Sequence, residues 1–406
     1  MNKIIFCFPY KGVGGVSLLF IRLAIYLFEQ GYQVSVIDYK DGYMSKNLPG
    51  MIEFLEYSDE IKLNIPAGCF LVLQTMTPWS IYPMLKIDNQ VKLYFITTIP
   101  INAYPFLPIF RSKMAEPKFF SWLIWHSILY QEYKKMQDFL ILIEDCSAVA
   151  YLDYDIVNNI KKNLRIDIKL PVIMPLFSDK KLSNEYINGC VSEKNKNRLV
   201  FAWVGRLADF KIHILNKLIQ DASNIAAILD QFIEFIIVGS GEKSGQLDLY
   251  NYDNITIKCI EEILPDDLNG FLLGVDILFA MGTSALEGAK LGVPTVRLDY
   301  SFKPIKYNYL YKWLFEIDDF SLAQQINTNF YKNEGHTLKD IVISLKSTSS
   351  LLSQKTFDHY QKNHSIKVAA DCLIEGLNNT KLTFHELEKS LLLHSKLYSL
   401  WKRIRG

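Results

Sequence analysis

A dominant charge sign, paired cysteines and long apolar runs are all missing from this 406-residue chain. Lys and Arg number 44 against 43 Asp and Glu, a formal net charge of +1. No global field draws a polyanion, so nucleic acid is not the expected partner. The six cysteines (Cys7, Cys69, Cys146, Cys190, Cys259, Cys372) include no C-x-x-C pair. Most sit in apolar runs, which suits reduced core thiols of a cytoplasmic protein better than disulfides or a zinc site. The seven histidines have neither H-E-x-x-H nor H-x-H spacing, so no metal is expected. No stretch reaches the ~18 continuous apolar residues of a spanning helix. The opening MNKIIFCFPYKG has too short an apolar run before its glycines to read as a signal peptide. A protein in solution or lying on a surface is expected.

What is present is a globular composition, 50% hydrophobic and 21% charged, at a length that accommodates two domains. Strand, glycine turn, helix and strand follow one another in KIIFCF, YKGVGG, VSLLFIRLAIYLFEQ (ended by Gly31) and YQVSVIDY. This is a βαβ unit and predicts a parallel sheet. CFLVLQT (69–75), VKLYFITT (91–98) and FLILIED (139–145) are further expected strands. A polar stretch over 178–198 reads as a linker, after which the alternation restarts. LVFAWVG (199–205), FIEFIIVGSG (232–241), NITIKCI (254–260), VDILFAM (275–281) and VPTVRL (293–298) are expected strands, and from Leu338 the pattern is helical to the end. Two Rossmann-like halves are expected, with ligands at the carboxyl ends of their strands.

Three stretches at those ends carry candidate chemistry. Gly12, Gly14 and Gly15 follow the first strand, where backbone N–H groups can approach a phosphate at a helix start. A dinucleotide fingerprint competes here, because Asp38 ends the second strand where a ribose-binding acid would sit; yet Ser17 holds the place of the third glycine. In WVGRLADFK, Arg206 and Lys211 can clamp a diphosphate, Arg as a fork and Lys as a point charge. In MGTSALEGAKLGVPTV, Ser284 and Glu287 have the spacing of a capping box. The same turn offers the N–H groups of 282–285 to phosphate and Glu287 to the two hydroxyls of a ribose. IVGSGE adds a glycine turn at that edge. DYD (153–155) resembles a metal-binding D-x-D but precedes a helical pattern, so helix capping is expected of it.

In this order, GRLADFK, IVGSG and MGTSALEGAKLGVPTV resemble the retaining glycosyltransferases of family four, and KGVGG fits that family's first βα loop. The resemblance is most specific between Leu199 and Leu298. It implies an α/β protein of GT-B fold: two Rossmann-like domains facing across a cleft, with C-terminal helices. The domains would span 1–177 and 199–345, joined by the linker 178–198, with helices over 346–406 packing back. It further implies that Arg206 and Lys211 are the catalytic pair that holds the donor diphosphate and stabilises it as a leaving group. Gly205, Gly239, Gly241, Gly282, Thr283 and Ser284 would lie beside donor sugar and phosphate. Gly12, Gly14 and Gly15 would face the diphosphate across the cleft, and Glu287, the second acid of the E-x7-E motif, would bind the ribose. Phe279 stands where the first acid of that motif belongs. His126, in FFSWLIWHSILY, is the one N-domain histidine and a candidate for the acceptor side.

The resemblance implies a metal-independent transfer of a hexose from a UDP- or GDP-linked donor, with no cofactor, to a lipid-linked or oligosaccharide acceptor of a bacterial surface polysaccharide. The Ile/Lys/Asn-rich composition agrees with a bacterial source. In the tail FHELEKSLLLHSKLYSLWKRIRG, Leu393, Leu397, Leu400 and Ile404 make an apolar stripe edged by Lys389, Lys396 and Arg403. Such a helix fits either packing on the domains or peripheral contact with the inner face of a bacterial membrane. PKFFSWLIWHSILYQEYKKM is a second candidate docking helix. The sequence also fits two alternatives: a nicotinamide-dependent oxidoreductase using Gly12–Ser17 and Asp38, and a degenerate partner subunit for which Phe279 speaks.

Overall fold

The central strands are short, nearly continuous apolar runs, the pattern of strands covered on both faces. In the computed structural model they form two parallel sheets. It describes residues 2–12, 14–105, 124–178, 198–249, 254–326 and 331–405, with side chains through 400. By contacts the chain divides into two units, Met1–Pro175 with Ile366–Gly406, and Leu176–Ser365.

The first unit contains β1 (Lys3–Cys7), β2 (Val34–Asp38), β3 (Glu53–Glu56), β4 (Leu63–Ile65), β5 (Cys69–Gln74), β6 (Leu85–Ile87), β7 (Lys92–Thr97) and β8 (Val149–Tyr151). Six of them run in the order β3-β2-β1-β5-β7-β8, while β4 and β6 pair separately. Ile4 of β1 stands opposite Val34 on one side and Phe70 on the other. The helix Gly15–Glu29 buries Leu19, Phe20, Leu23, Ala24 and Leu27, one face at helical spacing laid on the sheet. Its exit passes through Gly31 at φ 87°, a left-handed position suited to glycine.

The second unit contains β9 (Arg198–Val204), β10 (Phe232–Val238), β11 (Ile255–Ile260), β12 (Ile277–Ala280), β13 (Thr295–Arg297) and β14 (Lys312–Trp313). Their order is β11-β10-β9-β12-β13-β14, parallel except for β14 against β13. In both sheets the strand order reverses beside the first strand of the unit, between β1 and β5 and between β9 and β12. Loops leaving such a pair diverge and open a crevice at the carboxyl edge.

Several expectations change. FLILIED is not a strand but the end of the helix Tyr130–Asp145, which buries Tyr133, Met136, Phe139, Leu140 and Ile143 while Ile141 is exposed. That spacing is helical, and the strand of this region is the three-residue β8. The C-terminal tail is two helices, Phe384–Lys389 and Lys396–Arg405, broken where Leu391 adopts φ 59°. Leu393 therefore lies in a turn, and the stripe from Leu393 to Ile404 does not share one helix. DYD caps as expected: Asp153 accepts a hydrogen bond from the Ile156 N–H at 2.8 Å. Of the expected linker, residues 179–197 lie outside the described residues, as does Cys190; the other five cysteines are free. Among the described residues no helix is long and apolar enough to cross a membrane.

Phe279 is fully buried in β12. Its ring centre is 5.2 Å from that of Phe201 and 6.2 Å from that of Tyr311. Leu215 and Leu218 of the helix Asp209–Ile228 and Ile341 of the helix Leu338–Asn363 belong to the same core. An acid at this position would enter an aromatic core, not a ligand site. Phe279→Glu, which places there the first acid of an E-x7-E motif, should cost about 4 kcal/mol or more through an unpaired buried carboxylate. Urea unfolding measures it, and near-native stability of the variant would refute this account of position 279.

Candidate functional site

At the carboxyl edge of the second sheet, the loops after β9 and β10 are zipped together by backbone. The Leu207 N–H donates to the Ser240 carbonyl at 3.0 Å, and the Lys243 N–H donates to the Leu207 carbonyl at 3.1 Å. The glycines make this approach sterically feasible. A Cβ on Gly239, which sits at φ 143°, would lie 2.0 Å from the Gly205 carbonyl oxygen, and one on Gly241 would lie 2.4 Å from that of Leu207. Leu207 and Ala208 are buried and anchor the turn, while Arg206 between them and β9 is exposed.

Lys211 lies in the first turn of the helix Asp209–Ile228 and is half-buried. Its Nζ is 6.0 Å from the centre of the buried Trp203 ring and 5.7 Å from that of Phe210. A Cβ on Gly205 would stand 3.3 Å from this ammonium, so the glycine gives it room. Burial, and then the charge of Arg206, lowers the Lys211 pKa below the ordinary lysine value. Among the described residues neither cation forms an ion pair. The arrangement is two cations near enough for the charge of Arg206 to act on Lys211, the lysine partly desolvated beside aromatic rings, with no ion-pair partner for either among the described residues.

After β12 the chain turns at Gly282, φ 65° and ψ −147°, a conformation essentially reserved for glycine. The Gly282 N–H donates to the Leu322 carbonyl at 3.0 Å, and that of Ala285 to the Gly282 carbonyl at 3.1 Å. Two of the four N–H groups expected to be open are thus engaged. Thr283 is exposed and Ser284 half-buried at the start of the short helix Thr283–Ala289. No side chain caps this helix, so the capping box of Ser284 and Glu287 does not form. Glu287 turns elsewhere: its Oε1 accepts from the Ser178 hydroxyl at 2.7 Å, and its Oε2 pairs with the Lys290 ammonium. Sequence spacing concealed Ser178, which lies within the expected linker. Lys290 carried a signal, a lone charge inside an apolar run three residues after Glu287.

In the first unit, Gly14 is the extended residue preceding the helix Gly15–Glu29, with no side-chain cap. The Tyr10 ring lies against Gly12, where a Cβ would come within 2.9 Å of it, whereas Gly15 has open space on its Cβ side. Asp38 is fully buried and accepts from the backbone N–H groups of Tyr10, Tyr39, Met44 and Ser45 at 2.9, 2.8, 2.9 and 3.4 Å. Burial raises its pKa although these bonds oppose the rise. The carboxylate is a brace between loops, already saturated, and does not serve as the ribose acid of a dinucleotide site. His126 lies in a half-buried turn, its ring centre 5.0 Å from that of Tyr133. Residues 117–123 of the second candidate docking helix lie outside the described residues. Among the described residues no group of three His, Cys, Asp or Glu side chains could hold a metal ion.

No family model matches this chain, and no curated protein sequence matches it. Solved structures do. TarM superposes with a TM-score of 0.55 at 11% identity, over 93% of this chain and 99% of that one. A glycosyltransferase from Rickettsia africae ESF-5 gives a TM-score of 0.51 at 14% identity, over 93% of this chain and 98% of that one. Anabaena Alr3699/HepE, solved with UDP-glucose, gives 0.51 at 13% identity, over 93% of this chain and all (100%) of that one. Two parallel sheets of this strand order, matched along nearly the whole chain, give the protein the GT-B fold of glycosyltransferases.

Proposed function

We propose that this chain is a retaining glycosyltransferase of the family-four type, moving a hexose from a nucleoside-diphosphate sugar to a lipid-linked or oligosaccharide acceptor. The observation that carries this is the Arg206–Lys211 pair, two neighbouring cations with no ion-pair partner among the described residues, at the carboxyl edge beside the β9–β12 reversal. Holding a partly desolvated ammonium next to a guanidinium costs stability, and a diphosphate offsets that cost. Breaking the bond from the anomeric carbon to the diphosphate oxygen develops negative charge on the leaving group. Arg206, as a fork, and Lys211, as a point charge, stabilise that charge as it grows, without a metal. The acceptor hydroxyl attacks from the face the leaving group vacates and gives its proton to the departing diphosphate oxygen, so the anomeric configuration is retained. Glu287 accepts from the ribose hydroxyls, and Gly205, Gly239, Gly241 and Gly282–Ser284 border donor phosphate and sugar.

A UDP-linked donor is favoured, because the Anabaena protein of the same fold was solved with UDP-glucose. The bacterial surface-polysaccharide acceptor, and peripheral contact with the inner face of the membrane, extend the same proposal on the family resemblance.

Titration calorimetry with UDP, GDP, ADP and NAD⁺, no metal added, tests the site. One nucleoside diphosphate should bind, and Arg206→Ala and Lys211→Met should each weaken it by about tenfold to a hundredfold, the loss of charge-assisted hydrogen bonds. Preference for NAD⁺, or diphosphate binding indifferent to both substitutions, would sink the site. Lys211 carries a second expectation. A diphosphate needs the protonated ammonium, so affinity should fall as pH rises through the lowered Lys211 pKa, earlier than an ordinary lysine would allow. In Lys211→Met that decline should vanish, while thermal unfolding of the unliganded variant shifts upward by roughly 0.5–1 kcal/mol. Lower stability of this variant would contradict the uncompensated-charge account.

A further inference from the structure

An acid beside a diphosphate is at first sight misplaced, since two anions repel. The surroundings of Glu287 resolve this. Lys290 is a lysine with only 3% of its side chain exposed, against 18% for Glu287. Its ammonium meets the Glu287 Oε2 and, at 3.5 Å, the Ser178 hydroxyl. Ser178, itself 1% exposed, donates to the other carboxylate oxygen at 2.7 Å. Ser178 is fixed in turn: its carbonyl accepts from the Tyr360 hydroxyl at 2.8 Å, and it forms a bridge with Ser365.

We propose that Lys290 and Ser178 are positioning residues that seat the Glu287 carboxylate to receive a vicinal diol, an inference that rests on the donor-site assignment above. Each carboxylate oxygen has two acceptor positions. The seat occupies one on each from the protein interior and leaves one on each for two neighbouring hydroxyls. Lys290 also cancels the charge of Glu287, so the ligand meets an acceptor pair and not a bare anion that would oppose its phosphates. The seat fixes a side chain whose rotamer freedom would otherwise be lost on binding. This is a role in recognition of the nucleoside, separate from the diphosphate clamp, and it makes the site selective for a ribose over a 2′-deoxyribose.

The test uses the full chain with UDP, GDP and ADP, each beside its 2′-deoxy form, and with inorganic pyrophosphate. In the unmodified protein the ribonucleotide that binds should exceed its deoxy form by about tenfold, the worth of one hydrogen bond to a charged acceptor. Ser178→Ala and Lys290→Met should bring that ratio toward one; Ser178→Ala should leave pyrophosphate affinity unchanged, whereas Lys290→Met, which bares the Glu287 charge, should weaken it, a split that a merely structural role would not produce. Lys290→Met strands a buried carboxylate; if circular dichroism finds it unfolded, Ser178→Ala decides alone. A wild-type ratio retained in folded variants would overturn the positioning role. Failure of the unmodified protein to bind any nucleoside diphosphate would overturn the donor site itself, and binding without ribose preference would remove Glu287 and its seat while the clamp stands.

Discussion

Parallel strand pairing is the constraint from which the rest of this molecule follows. Two parallel neighbours cannot be joined by a tight turn, so each connection must travel over the sheet, here mostly as helix. All the strand exits then lie at one edge. Where the order reverses, between β9 and β12, the next connections diverge to opposite faces of the sheet. The core needs the apolar runs; the edge inherits the glycines, the cations and the acid. That division explains why the rings of Phe201 and Phe279 pack together in the core while Arg206, following the neighbouring strand, is exposed.

The two charged groups of the edge are held on opposite terms. Lys211 forms no ion pair among the described residues, and its protonation is weakened first by burial and then by the charge of Arg206. Glu287 is balanced by Lys290 and steadied by Ser178. An electrostatically open cation attracts an anionic ligand, whereas a neutralised acid offers directional acceptors to hydroxyls. In the proposed reading, one sheet edge grips a phosphate group and reads a sugar beside it without the two tasks cancelling.

Much of this was legible in the chain, for identifiable reasons. Strands such as KIIFC, VSVID and CFLVLQ are nearly continuous apolar runs because both faces are covered, and GRLADFK marked the cation pair by its position after another such run, LVFAWV. FLILIED misled because a short apolar run has no period of its own; only Tyr133 and Met136 upstream reveal the helical face. The two-residue β14 and the three-residue β8 are too short to carry a pattern. Asp38 resembled a ligand acid because its place in the chain was right, yet four backbone donors occupy it. The capping box failed for the converse reason. Ser178, 109 residues away, competes for the carboxylate, and no local spacing records such a competitor.

The bridge between Ser178 and Ser365 has a consequence for how this protein is assembled as a sequence. Leu176 and Ser365 bound the second unit, and the His364 ring also donates to the Leu176 carbonyl at 2.8 Å. The entry and exit of that unit are therefore stitched side by side. A folding unit whose ends meet can sit within another chain as an insertion, because the host segments on either side are returned to the same place. The first unit, split between residues 1–175 and 366–406, is such a host. Its interruption costs little more chain entropy than a tight loop, since what intervenes is closed by its own hydrogen bonds.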